Sequence, residues 1–169
     1  DGAGAALFEP NTEGLGLQDE VLRVDGKGRD YLRIKAGGSM RPASTETLNK
    51  REHFLHQEGK SVFQFAVSNM TSAAFQLLEQ NNLNTDDIDH VVAHQANKRI
   101  LDSVAKNLDL NAGQLLVNIE RYGNTTAATL PLLLWDYEKK LKKNQKLLFT
   151  AFGGGFTWGA IYLTWAYNT

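Results

Sequence analysis

Three short stretches hold the groups with most to offer chemically. "AHQAN" (Ala93 to Asn97) places an imidazole, His94, between an apolar run and a helix start. "YGNTT" (Tyr122 to Thr126) sets a carboxamide, Asn124, in a similar position, and "AFGGGF" (Ala151 to Phe156) dispenses with side chains at three consecutive glycines. A neutral imidazole and a carboxamide both donate N–H bonds, and glycine lets backbone amides approach a ligand closely. Brought to one point, such donors polarise a carbonyl and hold the negative charge that develops on its oxygen. Taken singly, each stretch also has a plainer reading: His94 as a hydrogen-bonded structural histidine, Asn124 as a helix N-cap, the glycines as a tight reversal. His53, His56 and His90 have no comparable setting, and no Cys/His/Asp cluster stands at ligand spacing, so no metal site is expected. "GGGFTWG" joins two apolar runs instead of opening a helix, which separates it from a dinucleotide fingerprint.

The elements around these stretches decide whether they can meet. Val62, Phe63, Ala66, Val67, Met70, Ala73, Ala74, Leu77 and Leu78 recur at helical spacing and predict a helix with one buried face. From there the chain repeats one pattern of apolar run, polar turn and helix. "IDHVVA" (Ile88 to Ala93) leads through His94 into a helix striped by Ile100, Leu101, Val104, Ala105 and Leu108. "QLLVNI" (Gln114 to Ile119) leads through "ERYGN" into "TTAATLPLLLWDYEKKLKK", where Pro131 is tolerable only early in the helix or at a kink. "KLLFTAF" (Lys146 to Phe152) rebounds at the glycines as "FTWGAIYLTWAY", predicting two strands. Upstream, "GAGAALFE" suits a close-packed strand, "LGLQDEVLRVDG" and "RDYLRIKA" suggest further strands broken at Asp25-Gly26, and Ala36 to Arg51 reads as a long loop. Strands alternating with helices argue an α/β layered domain. In such sheets the strand carboxyl ends share an edge where ligands bind, and His94, Asn124 and Gly153 to Gly155 each follow a strand there.

Composition bounds what such a site can serve. With 169 residues, 42% hydrophobic and 22% charged, residues 1–169 are expected to form a single domain with a real core. A net charge of -1 gives no global electrostatic case for nucleic acid or membrane as partner. No run approaches the roughly 18 apolar residues of a membrane span and no signal peptide opens the chain, so a soluble protein is expected. Cysteine is absent, which removes both a disulfide framework and a thiol nucleophile. The opening at Asp1, without an initiator methionine and directly in an apolar Gly/Ala-rich segment, reads as a cut through a larger protein.

"HQANKRI", "RYGNTTAATLPLLL" and "AFGGGFTWGA", in this order after an opening "DGAGA", closely resemble the C-terminal half of the 3-oxoacyl-acyl carrier protein synthase III family, from Asp1 to about Trp165. Chalcone-type synthases differ by a proline in the final glycine loop, and elongating ketoacyl synthases by two histidines where this chain offers His94 and Asn124. The resemblance implies the fold class: α/β, the C-terminal half of a thiolase-like fold, with a mixed β-sheet and helices packed on it, in a cytoplasmic homodimer whose N-terminal half bears the cysteine. It also implies the chemistry, an acyltransferase reaction that starts fatty acid biosynthesis. A cysteine takes a short acyl group from coenzyme A; malonyl-acyl carrier protein then loses carbon dioxide and attacks in a decarboxylative Claisen condensation. On that resemblance His94 and Asn124 donate hydrogen bonds to the malonyl thioester oxygen, Gly154 gives a backbone N–H to the oxyanion hole, and Phe152 packs against the departing carboxylate. Gly59, Phe63 and Asn97 fall where the family lines its coenzyme A or pantetheine tunnel. The substrates are thioesters of coenzyme A and phosphopantetheine, and no separate cofactor or metal is implied.

The family's "GNTSAAS" has serines where this chain has Thr126 and Thr129, a change that adds methyl groups and is not expected to alter function. Arg99 matches the family's carrier-protein docking arginine, with Lys106 two turns along the same helix face. Asp102 lies between them and is expected to form an intrahelical pair that blunts the positive patch; the plainer reading of Lys98, Arg99 and Lys106 is a solvated face. Glu138 and Lys142 are spaced for an i,i+4 pair. Two other functions fit the same residues: a synthase III-like enzyme priming specialised polyketide pathways, and a non-catalytic half that binds thioesters or dimerises without turnover.

Overall fold

The structure is a computed structural model and describes residues 1–168. Strand β1 (Gly16–Val24) is followed by a 3-10 turn and by β2 (Leu32–Ile34), the short helix α1 (Thr45–Asn49), β3 (Leu55–Gln57) and the long helix α2 (Gly59–Gln80). The second stretch runs β4 (His90–Ala93), α3 (Lys98–Asn107), α4 (Ile119–Tyr122), α5 (Thr129–Tyr137), β5 (Lys146–Gly153) and β6 (Thr157–Thr164). The main sheet has the order β1-β6-β5-β4 and is mixed: β4 and β5 run parallel, whereas β6 is antiparallel to both β5 and β1. β2 and β3 form a separate antiparallel pair.

Alternation along the strands sorts side chains between two helix layers. Leu148 and Phe152 of β5, Val91 and Ala93 of β4, Val21 of β1 and Ala160 of β6 face α2 and α3. There they meet the buried stripe of Val62, Ala66, Met70, Ala73, Ala74, Leu77 and Leu78, together with Ile100, Leu101, Val104 and Leu108. Phe63, Val67 and Ala105, read from the spacing as part of these stripes, lie at their half-buried margins. Val92, Leu147 and Leu163 point the other way, onto Leu133 of α5 and onto Leu141 and Trp165. This second face is covered only in part. Leu22 on β1 and Trp135 on α5 remain 64% and 74% exposed.

Three segments depart from the sequence reading. Residues 1–15 form no strand: at Gly2 and Gly4 the nearest neighbours are the side chains of Thr125 and Pro131 and not a partner strand. Gln114 to Ile119 supplies only a bridge, Leu115 against Val91, held by Val91 N–H to Gln114 O (2.8 Å) and Leu116 N–H to Val91 O (3.0 Å). The "ERYGN" stretch is not an open turn but begins as α4, which Gly123 ends at φ 67°, a backbone angle that favours glycine. Pro131 occupies the third position of α5, where its missing N–H leaves no helical bond unmade. The loop from Ala36 to Arg51 holds α1, whose Ser44 and Thr47 form a reciprocal cap.

Candidate active site

β4 delivers His94. Its backbone N–H extends the parallel ladder to Thr150 O (2.9 Å), and the next residue, Gln95, turns inward and is fully buried. The Gln95 carboxamide donates to Ala93 O (2.9 Å) and accepts from Asn118 N–H (3.1 Å), which ties the end of β4 to the segment that leads to Asn124. Asn97 then caps α3, its side-chain oxygen accepting from Arg99 N–H at 2.9 Å.

Asn124 is positioned from the other side. Asp136, on α5, accepts from the Asn118 amide (2.9 Å), the Arg121 guanidinium (2.9 Å) and the Tyr122 hydroxyl (3.0 Å), so one carboxylate anchors both ends of α4. The bond to Asp136 holds the Tyr122 hydroxyl above the usual tyrosine pKa, with a smaller contribution from burial. Asn124 Oδ1 accepts from Thr126 N–H (2.9 Å), which turns the Asn124 NH2 away from the turn as the free donating end. His94 is partly buried, and burial pushes its imidazole below the ordinary value of 6.5, toward the neutral form. Its Nδ1 lies 2.6 Å from Thr129 Oγ1.

These groups meet in a cleft of about 1280 Å³. His94, Asn124, Phe152 and Gly153 line it, together with Gly59, Phe63, Asn97 and Arg99. Phe152 is held by a tilted ring contact with buried Phe156, ring centroids 4.8 Å apart and planes at 51°. Gly154 lies just outside the wall, because the β5–β6 reversal turns there and sets Gly154 against the Leu32 carbonyl; a Cβ at that position would lie 3.3 Å from it. The backbone pair between Asp25 and Phe156, at 2.8 and 2.7 Å, pins the reversal. The walls carry three cations, Arg23, Lys60 and Arg99, and no carboxylate, so the cleft favours an anionic ligand.

Lys106 is exposed on α3 and lies outside the cleft. Asp102 does not pair with Arg99 or Lys106 as the spacing suggested: it forms its i,i+4 salt bridge with Lys98. The Arg99 guanidinium instead stacks over the Phe63 ring, 5.4 Å from its centroid. Glu138 accepts from the Tyr167 hydroxyl at 2.8 Å. Among the described residues no group of three or more His, Cys, Asp or Glu side chains is placed to hold a metal ion, and no helix is long and apolar enough to cross a membrane.

Sequence reasoning alone missed Gln95, Thr129 and Asp136. The one available signal was their chemistry: Gln95 interrupts an apolar approach, and Asp136 is the single charged residue of α5.

Comparison with known proteins bears on this arrangement. Residues 78–165 match the family model described as 3-oxoacyl-[acyl-carrier-protein (ACP)] synthase III C terminal. A beta-ketoacyl-[acyl-carrier-protein] synthase III of Bacteroides thetaiotaomicron is 54% identical over 168 residues, which is 99% of this chain and 50% of the relative. The crystal structure of 3-oxoacyl-(acyl carrier protein) synthase III from Pseudomonas aeruginosa superposes with a TM-score of 0.81 at 33% identity, covering 95% of this chain and 48% of that one. A priming beta-ketosynthase of the R1128 polyketide biosynthetic pathway gives a TM-score of 0.77 at 25% identity, over 91% of this chain and 46% of that one. The chain thus spans about half the length of the curated relatives it matches.

Proposed function

Because the chain belongs to the 3-oxoacyl-[acyl-carrier-protein] synthase III family and has the thiolase-like α/β fold of that family's C-terminal half, we propose that it is the decarboxylating half of a condensing acyltransferase that starts fatty acid synthesis. On this reading residues 1–169 act as one domain, joined to an N-terminal half that carries the nucleophilic cysteine, in a cytoplasmic homodimer. The cysteine takes an acyl group from a short acyl-coenzyme A. Malonyl-acyl carrier protein then enters the cleft, the bond between its methylene carbon and carboxylate breaks, and carbon dioxide leaves. The electron pair passes into the thioester as an enolate, with negative charge on the thioester oxygen. The enolate carbon attacks the acyl-cysteine carbonyl, the thiolate departs, and a 3-oxoacyl-carrier protein remains. The thioesters of coenzyme A and phosphopantetheine are substrates, and no further cofactor takes part.

The observation that carries the proposal is the meeting of His94 and Asn124, two neutral N–H donors, in one cleft that has no carboxylate on its walls. Neutral donors favour the enolate over the ground-state thioester because the negative charge they stabilise exists only after carbon dioxide begins to leave. Phe152 adds an apolar surface beside them that disfavours the charged carboxylate before departure. Gly154, in the reversal next to the cleft wall, supplies the backbone N–H for the oxyanion at the acyl-cysteine. Gly59, Phe63 and Asn97 line the way in for the pantetheine arm, and Arg99 with Lys106 receives the carrier protein. The 54% identity to a beta-ketoacyl-[acyl-carrier-protein] synthase III supports the fatty acid reading. The test is direct: the intact protein is incubated with acetyl-coenzyme A and malonyl-acyl carrier protein, and acetoacetyl-carrier protein is sought by mass spectrometry. Its formation is expected. A protein that binds both thioesters but yields no product would instead be a thioester-binding half.

A further inference from the structure

Thr129 opens α5 and is 2% exposed, with its hydroxyl between a ring nitrogen and a carbonyl oxygen. His94 Nδ1 lies at 2.6 Å and Thr126 O at 3.0 Å, and the hydroxyl has one proton to give. The choice between them fixes the imidazole. If Thr129 donates to Thr126 O, then Nδ1 must carry the His94 proton and donate to Oγ1, which leaves Nε2 as a bare lone pair. If Thr129 donates to Nδ1, the proton of the neutral ring sits on Nε2, the nitrogen with no hydrogen-bond partner among the described residues. Two features favour the second arrangement. The Thr126 carbonyl already accepts the backbone N–H of Thr129, so losing the hydroxyl leaves it satisfied. The shorter contact is also the one to the nitrogen. Thr126 itself stands at φ 54°, an uncommon backbone angle for a β-branched residue, and its carbonyl caps the start of α5.

We propose that Thr129 is a positioning residue that fixes His94 as the Nε2–H tautomer, so that the ring presents a donor and not a lone pair to the cleft. This rests on the reading of His94 as a hydrogen-bond donor to the thioester oxygen. A lone pair facing that oxygen would repel the enolate charge that the site must hold. Burial keeps the ring neutral near pH 7, which makes the tautomer decisive because a neutral ring has one N–H. The methyl group of threonine, which the family's serine lacks, limits hydroxyl rotation through the stiffness of a β-branched side chain.

Two measurements on the intact synthase test this. Two-bond nitrogen–proton correlation spectra of histidine-labelled protein report which ring nitrogen of His94 is protonated, independently of turnover. Protonation at Nε2, with Nδ1 as a hydrogen-bonded acceptor, is expected in the wild type and in Thr129→Ser; in Thr129→Val the Nδ1 signal should lose its hydrogen-bonded shift. Protonation at Nδ1 in the wild type overturns the proposal. In the second measurement, release of carbon dioxide from malonyl-carrier protein should fall about 10–100-fold in kcat for Thr129→Val, with KM little changed, and recover in Thr129→Ser. Thr129→Val with an unchanged rate would also overturn it. His94→Ala serves as the separating control: full decarboxylation by that variant refutes the reading of His94 itself, whereas its loss beside an unaffected Thr129→Val refutes only the role of Thr129.

Discussion

His94 and Asn124 are useful to the proposed reaction because neither carries charge before the reaction begins. A cation in their place would bind the malonyl carboxylate of the ground state as well as the enolate, and binding both equally gives no acceleration of the chemical step. The partly buried setting of His94 enforces this neutrality and has a measurable consequence. Its imidazole should titrate below 6.5 in the folded protein, and a midpoint at or above 6.5 by NMR would contradict the packing around it. The sign of the linkage follows. Between the depressed folded value and 6.5 the unfolded chain holds the proton and the folded chain does not, so stability rises with pH across that window. Above 6.5 both states are neutral and the contribution vanishes. Urea unfolding at about pH 7.5 and about pH 5.5, compared with His94→Gln, should show the wild type losing more stability at the lower pH. In the sequence both stand out as polar residues between an apolar run and a helix, although for Asn124 the run gives way to α4 first. Thr129 does not stand out: its contact with His94 spans 35 positions, and only the fold brings the two together.

At the scale of elements, the short parallel register of β4 and β5 sets the site edge, and α4 with the start of α5 holds Asn124 against it. Asp136 is the joint. Asp136→Ala would leave the buried Asn118 amide without its acceptor, at a cost of about 1–3 kcal/mol in urea unfolding, and would loosen the turn that carries Asn124. A change within about 0.5 kcal/mol would show that water replaces the carboxylate freely. α3 has a different task. With Asp102 engaged by Lys98, Arg99 keeps its charge available on the cleft wall, braced by Phe63. Arg99→Glu should therefore weaken use of malonyl-carrier protein and leave acyl transfer from coenzyme A largely intact, since reversal adds repulsion only toward an acidic partner. Equal loss of both half-reactions would point to damage in a shared tunnel. The long helix and the β5–β6 pair were readable from periodicity because each buries a regular face. The 2–9 and 114–119 segments were misread because their apolar composition resembles a strand, while strand formation depends on a partner edge that local sequence does not specify. Pairing inside the 98–106 face was misassigned for a related reason: spacing allowed several partners for Asp102, and side-chain reach selected Lys98.

At the scale of the molecule, the proposed reaction needs a donor pair and a cysteine, and this sequence offers only the pair. The sequence contains no cysteine, so enolate stabilisation here has no acyl thioester within reach to be attacked. The 169-residue chain alone should form no acetoacetyl product from acetyl-coenzyme A and malonyl-carrier protein; robust product from a preparation free of the full-length enzyme would require another acyl-carrying group. The half-open second face, with Leu22 and Trp135 exposed, should make that isolated chain self-associate, which sedimentation would detect as concentration-dependent mass. The central claim concerns the donor pair, and release of carbon dioxide from labelled malonyl-acyl carrier protein by the intact synthase tests it most directly. The wild type is compared with His94→Ala and with Asn124→Ala after circular dichroism has verified that each variant is folded. Each substitution is predicted to lower the rate of release about 10²–10³-fold, the usual cost of removing one preorganised donor to a developing oxyanion. Release at the wild-type rate from either folded variant would contradict the assignment of these two side chains to the enolate.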